Sequence, residues 1–538
     1  MKGSTALRLT PVALLLATLA LPVAWADDWP QWGGTLERNM FSPETGLPSS
    51  FDIEGKTVNV RWVARLGSQT YGTPTIAGGK VYIGTNNGAP RNPSRSGDRL
   101  VLMCLNEDTG GFNWQFASPR RRNYGHFNGD YGGLGVCSSA AVDGDRVYVV
   151  TNRCHVVCLD INALGSNRNP AYSEEAQYLA EPGYEAITPG PNGPRLSLSP
   201  GRPVQLAAND AQMIWVCDMM KEAGSWPHDA TNSCPLVYGD YVYTGTGNGQ
   251  ADNHRYIPSP KGATVIALDK RTGKLVARDN AGIAPGVFGG GWSSPSLGMV
   301  NDRPLLFYGG GDGFCYAFDP RPEPGVNGKP GLLRCVWRFD GNPPEYRRCG
   351  YYDTSGPSDI IGTPVFDNNR VYVAVGQDPR HGPGKGCLSC IDATKTGNIS
   401  ATGAIWRYKG IGRTCSTVSV ADGLVYAADY GGTLHCVDAA TGKAVWTQAL
   451  GSKVWGSTLC ADGKVYLGTE NGYLWVMKAG RTRQVLDKIP MHAPIYTTPV
   501  VANGVLYVAT HRFLYALRKE TPPATTATTT ATPAATTP

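Results

Sequence analysis

The sequence predicts an all-β protein, an eight-bladed β-propeller of four-stranded antiparallel blades whose ring is closed by an N-terminal strand. Three observations predict it. A unit recurs eight times, most clearly as DGLVYAADYGGTLHCVDAATGKAVWTQAL, residues 422–450, where alternating apolar residues are broken by Gly-Gly and Thr-Gly-Lys turns. That is the pattern of an antiparallel meander. The Tyr of its second strand recurs at Tyr82, Tyr148, Tyr243, Tyr308, Tyr372, Tyr426, Tyr466 and Tyr507, and the last two intervals are 40 and 41 residues. Such a period belongs to one propeller blade. Finally, the eighth copy lacks a Trp-bearing fourth strand, while NVRWVARL, residues 59–66, stands unattached before the first copy with Trp62 in the missing place. Joining the two removes open sheet edges, which invite aggregation.

Composition agrees. The 538 residues include 68 Gly, 40 Pro and 26 Tyr, which suit short strands and turns. The formal net charge is +6, and +4 without Lys2 and Arg8. That charge is too weak and too dispersed to argue for a nucleic-acid partner.

Taken in chain order, residues 1–26 read as a signal peptide: Lys2 and Arg8, then LLLATLALPVAWA, then Ala24-Trp25-Ala26 as the cleavage site. The apolar run is short for a span, and no Cys precedes Cys104 to carry a lipid at the cleavage point. An exported protein, periplasmic or extracellular, with no transmembrane segment after cleavage is expected. Residues 27–58 form a lead segment and residues 59–519 the propeller. TPTIAGG (73–79), CPLVYGD (234–240), TPVFDNN (363–369) and TPVVANG (498–504) mark inner strands. The longest interval between copies, about residues 163–211, is rich in Pro, Gly, Asn and Ser and reads as a surface insertion. Residues 520–538, Thr/Ala/Pro-rich, cannot build a core and read as a disordered tail.

Of the fourteen cysteines, Cys104, Cys158, Cys390 and Cys436 share one repeat position with Ala267, Ala317 and Ala516. A small apolar core residue explains all of these. Cys154, Cys335, Cys349 and Cys387 are the better disulfide candidates, and the single Cys387–Cys390 pair is a weak zinc signal.

The best binding signal is aromatic. Tyr71, Trp455 and Tyr496 each lie eleven residues before a repeated Tyr, and Trp292 takes the equivalent place before its Ser-Ser-Pro. These positions begin inner strands and should ring one mouth of the channel. They could stack on a planar cofactor, a sugar or a peptide, or pack between blade tops. His228-Asp229, His381, and His126 with Asp130 show no fixed spacing, and turn or surface roles are expected for them. The loop YTGTGNGQADNH, residues 243–254, has Gln250 where a dinucleotide fingerprint needs Gly, and no P-loop Lys-Ser/Thr. Gly247-Asn248-Gly249 reads as a turn, with Asn248 also a reasonable hard-oxygen calcium ligand.

The Thr-Gly-Lys turn followed by Trp, as in CVDAATGKAVW, resembles the repeat of the pyrroloquinoline quinone (PQQ) propeller superfamily, which includes quinoprotein dehydrogenases and BamB assembly lipoproteins. SWPHDATNSCPLV, GGGDGFCYAFDP and VYVAVGQDPRHGPGKG are similar to exported PQQ-like propellers of planctomycete-type bacteria. The resemblance implies a calcium role beside PQQ for Asn248, which matches the Asn of a TGNG-type motif in the dehydrogenases. It also marks departures. LVARDNAGIAPGVFGGGW offers Asp279 but no Trp-Asp pair, and there is neither a Cys-Cys dipeptide nor a CxxCH. The first reading is therefore a non-catalytic binding or scaffold protein with no catalytic residue, taking a protein, peptide or carbohydrate at the channel mouth. The alternatives are a PQQ- and calcium-dependent oxidoreductase acting on an alcohol or sugar, and a carbohydrate-binding propeller.

Overall fold

The computed structural model describes residues 27–54, 58–120, 132–165, 169–181, 183–188, 195–199, 201–251 and 253–519. The expected signal peptide and tail, and His126 with Asp130, lie outside the described residues. Eight sheets, each with a core of four antiparallel strands, follow one another in chain order. Blade 6 shows the plan: Ser419–Ala421, Leu424–Ala428, Thr433–Asp438 and Ala444–Ala449 pair successively. In blade 2 the outer strand, Ala211–Asp218, arrives only after the insertion and pairs with His155–Ala163. The eighth blade is completed by Val60–Arg65, antiparallel to Phe513–Leu517, with Trp62 opposite Ala516. The ring is thus closed by the N-terminal strand, as the sequence predicts. Among the described residues no helix is long and apolar enough to cross a membrane.

The repeat residues turn out to be a clasp between blades. Within each of five blades the repeated Tyr packs on the Trp of the outer strand: Tyr82 on Trp114, Tyr148 on Trp215, Tyr372 on Trp406, Tyr426 on Trp446, and Tyr507 on Trp62, at 5.8–6.0 Å between ring centroids. The indole N–H then crosses to the next blade. Trp62 donates to Glu107 O, Trp114 to Ile161 O, Trp215 to Lys270 O, Trp337 to Ala393 O, Trp406 to Ala439 O and Trp446 to Gly480 O. The Gly of the neighbouring turn makes room. A Cβ on Gly273 or Gly442 would lie 2.4 or 2.6 Å from the ring of Trp215 or Trp406, and both glycines sit at φ near +70°. That conformation and that space admit only glycine.

Opposite the Trp stands the small residue: Cys104 faces Trp114, Cys158 faces Trp215, Cys390 faces Trp406 and Cys436 faces Trp446. All four cysteines are fully buried, and burial pushes the Cys104 thiol up to about 12, so it stays protonated. Of the disulfide candidates, Cys335, Cys349 and Cys387 are free thiols and Cys154 is buried.

The lead segment enters the channel and touches the inner edge of every blade. Trp29 exchanges two backbone bonds with Ile76 of blade 1, and Pro30 O accepts from Val142 of blade 2. Arg38 donates to Pro235 O and Pro295 O, at the starts of blades 3 and 4. Leu36 O accepts from Leu297, Glu37 O from Phe366 and Met40 O from Cys460. The Asn39 carboxamide closes two bonds on Val420, and the Glu44 carboxylate accepts from Gly504 N–H. Most of these contacts fall late in the inner strands, so the segment stops one end of the channel and leaves the other open.

The insertion includes a short helix, Glu175–Tyr178, and a hairpin of Gly183–Thr188 and Arg195–Ser199. Glu175 is buried, which pushes its carboxyl from the ordinary 4.5 up to about 7. Between these values the folded chain holds more protons than the unfolded one, so this group weakens the fold as pH rises through that window. Glu175→Gln is expected to be neutral at pH 4 and stabilising by about 1–3 kcal/mol at pH 8, read from denaturant midpoints at the two pH values.

Candidate functional site

The open end of the channel holds a blind cavity of about 490 Å³. Its wall is built from one equivalent position in each blade, the residue two before the hydroxyl that starts the inner strand. Four of these are the aromatics singled out by spacing, Tyr71, Trp292, Trp455 and Tyr496; Cys137, Asn232, Ile361 and Cys415 supply the rest. Three of the aromatics come together. Trp455 and Tyr496 stack at 4.7 Å and 17°, and Tyr71 meets Tyr496 edge-on at 5.2 Å. The Trp455 indole N–H is held by the Glu470 carboxylate at 2.7 Å. Trp292 stands in blade 4, its N–H donating to His228 O at 3.1 Å. Burial pushes the Tyr71 phenol up to about 12, so it is a neutral hydroxyl at physiological pH.

The other side of the cavity is polar. Arg380 bridges the carboxylates of Asp229 and Asp378, and all three residues line the space. Behind them Asp359 is fully buried, with the Tyr351 hydroxyl donating to it at 3.3 Å. Burial, with Asp378 nearby, holds the Asp359 carboxyl well above the usual carboxylate range. The cavity therefore has one apolar, aromatic side and one side of charged groups.

Below the wall runs a girdle of small polar side chains, Thr73, Ser139, Ser294, Thr363, Thr417, Ser457 and Thr498, with Cys234 in blade 3. Backbone amides link it from blade to blade. Thr363 N–H donates to Thr417 Oγ1 (3.0 Å), Thr417 N–H to Ser457 Oγ (2.8 Å), Ser457 N–H to Thr498 Oγ1 (2.8 Å) and Thr498 N–H to Thr73 Oγ1 (3.0 Å). Trp32, from the lead segment, forms the floor and is fastened by its N–H to Thr363 Oγ1 at 3.0 Å.

Asn248 lies outside the cavity wall. It is fully buried; its Oδ1 accepts the Trp226 N–H at 2.7 Å and its Nδ2 donates to Ser259 O at 3.1 Å. It thereby fixes the Trp226–His228 stretch that backs Trp292. Asp279 likewise caps backbone amides, those of Thr264 and Val265. His228, His254 and His381 come together behind Trp292, with His228 buried and its ring 5.7 Å from the indole. Among the described residues no group of three or more His, Cys, Asp or Glu is arranged to hold a metal ion. The Asn248 carboxamide and the Asp279 carboxylate are both engaged with backbone groups, and the aromatic wall fits a flat ring in the cavity.

Trp32, Arg38, Asp378 and Arg380 escaped the sequence reading. Trp32 and Arg38 sit in no repeat, and nothing local places them on the axis. The girdle did leave a signal: Thr73, Ser294, Thr363 and Thr498 each precede Pro at the start of an inner strand.

The family model described as outer membrane protein assembly factor BamB matches residues 25–163 and 385–485. No curated relative matches. Among solved structures the chain is similar to BamB from Moraxella catarrhalis, with 13% identity, covering 85% of this chain and 96% of that one, at a TM-score of 0.49. It is also similar to the quinohemoprotein alcohol dehydrogenase from Comamonas testosteroni, with 15% identity, 91% and 80% covered and a TM-score of 0.45. A computationally designed protein, Ika8, matches at 11% identity, 85% and 99% covered, with a TM-score of 0.47.

Proposed function

We propose that this chain, a propeller of the PQQ-like repeat family, is an exported, non-catalytic binding protein whose mouth cavity takes a small saccharide. The observation that carries the reading is the two-sided blind cavity. A sugar ring has an apolar C–H face and a polar edge. The first suits the Trp455–Tyr496 stack, and ring hydroxyls suit the acceptors of Asp229 and Asp378, held in place by Arg380. Aromatic platforms with a few fixed polar groups are how small-ligand sites gain both affinity and orientation. A cavity closed at its floor by Trp32 favours a compact ligand over a threaded chain. Export is supported by the leader-like residues 1–26.

The test is a thermal-shift and calorimetric screen of the purified protein against mono- and disaccharides, with PQQ plus calcium as a separate arm scored by dye reduction with alcohols and sugars. Stabilisation by a saccharide without dye reduction is expected. Retention of PQQ with turnover, and no saccharide bound, would replace this reading with the oxidoreductase one.

A further inference from the structure

The rim of the mouth is uneven. In blades 6, 7 and 8 the connection between the second and third strands is short, from Ala428 to Thr433, Gly468 to Tyr473 and Ala509 to Phe513. In blades 3 and 5 it is long, from Gly245 to Val265 and from Ala374 to Leu388. A further long connection, from Asp340 to Val365, joins blade 4 to blade 5. The short connections flank Trp455 and Tyr496. The long ones build up the opposite side, that of Trp292, Asp378 and Arg380.

On that side three lines of contact lead from the cavity wall outward, and all end on Tyr352. The first is a run of rings: Trp292 packs on His228 at 5.7 Å, His228 on His254 at 4.6 Å and His254 on Tyr352 at 6.0 Å. The second passes through Asp359. A Cβ on Gly289 would lie 3.2 Å from the Trp292 ring and 3.3 Å from Asp359 Oδ2. The Tyr351 hydroxyl donates to that same oxygen at 3.3 Å, and the Tyr351 ring is 5.0 Å from Tyr352. The third starts at Arg380, which lines the cavity. The next residue, His381, meets Tyr352 edge-on at 4.9 Å and 84°. Tyr352 is thus framed by rings from three separate connections, yet it is 54% exposed. A Tyr fixed in this way offers a large amphipathic contact at a low cost in conformational entropy.

We infer that Tyr352 is the platform of an outer subsite: the terminal ring of an oligosaccharide enters the blind cavity, and the next ring lies outside it on Tyr352. This rests on the reading of the mouth as a saccharide site. A cavity floored by Trp32 admits only the end of such a chain, and the built-up side gives the following ring a surface to lie on. Stacking of a C–H face on a Tyr ring is the same chemistry as on Trp455 and Tyr496 within the cavity. Arg380 lines the cavity and directly precedes His381, so its half-exposed guanidinium is placed to meet hydroxyls of either ring.

The experiment compares glucose and galactose with maltose, cellobiose and lactose by titration calorimetry on the intact protein. The variants are Tyr352→Ala and Tyr352→Phe, with Tyr256→Ala as the exposed control, and melting curves are recorded for each. At least one disaccharide is expected to bind about tenfold more tightly than the monosaccharides that compose it. Tyr352→Ala should erase that gain and leave monosaccharide affinity and the melting temperature as they are in the unaltered protein. Tyr352→Phe, which keeps the ring, and Tyr256→Ala should both retain the gain. Monosaccharide binding with no gain for any disaccharide would overturn the subsite and leave the saccharide reading standing. So would a gain that Tyr352→Ala does not change, or an equal loss for mono- and disaccharides accompanied by a lower melting temperature. If no sugar binds at all, the saccharide reading falls and takes the subsite with it.

Discussion

Deleting residues 27–58 while keeping the closing strand Val60–Arg65 is expected to lower the unfolding free energy by about 5 kcal/mol and to open the channel from end to end. Trp29, Met40, Leu47 and Phe51 are all buried and belong to the cluster that joins blades 7, 8 and 1. Burial of each large apolar side chain is worth about 2 kcal/mol, and these four are lost together with the segment. Backbone and side-chain bonds to the inner strands are lost as well, leaving strand edges facing an empty channel. The measurement is a chemical denaturation midpoint, with soaking of a polyethylene glycol too wide for the blind cavity as the readout of channel opening. A truncated chain as stable as the full one would show that the segment merely occupies the channel.

Trp455→Ala and Trp446→Ala, nine residues apart in one chain, are expected to fail in opposite ways. Trp446 is buried between blades, packed at a tilt on Tyr426 and bonded to Gly480 O. Its truncation should cost about 3–5 kcal/mol of stability and leave the affinity of the folded fraction intact. Trp455 is half-buried in the cavity wall. Its truncation should cost little stability but weaken ligand binding by about 2 kcal/mol, on the order of thirtyfold in Kd. Exposed Tyr256, 57% accessible, serves as the neutral control. If Trp455→Ala destabilised the fold as Trp446→Ala does, the aromatic wall would be packing between blade tops rather than a ligand platform.

The contrast also explains what the sequence could reveal. Blade count, ring closure by Trp62, and the role of Cys104 and its equivalents are legible because each is repeated, and repetition exposes a shared packing duty. The mouth aromatics are legible for the same reason: Tyr71, Trp455 and Tyr496 keep a constant offset from a core residue. Trp32 and Arg38 occur once, in a segment whose partners are hundreds of residues away in sequence, so only the closed ring reveals their place. Asp229, Asp378 and Arg380 belong to loops of different length in blades 3 and 5, where the repeat register no longer predicts neighbours. The loop of Asn248 also stands out in sequence, and in the fold its carboxamide ties Trp226 to Ser259.

The central claim is that the open mouth, floored by Trp32, is the ligand site. The most direct measurement is a crystal structure of the protein grown with the tightest-binding sugar from the screen. The account predicts the ring lying against Trp455 and Tyr496, its edge at Asp229 and Asp378, with Trp32 unmoved beneath it. A sugar bound on the outer faces of the blades, with the mouth holding only solvent, would contradict it.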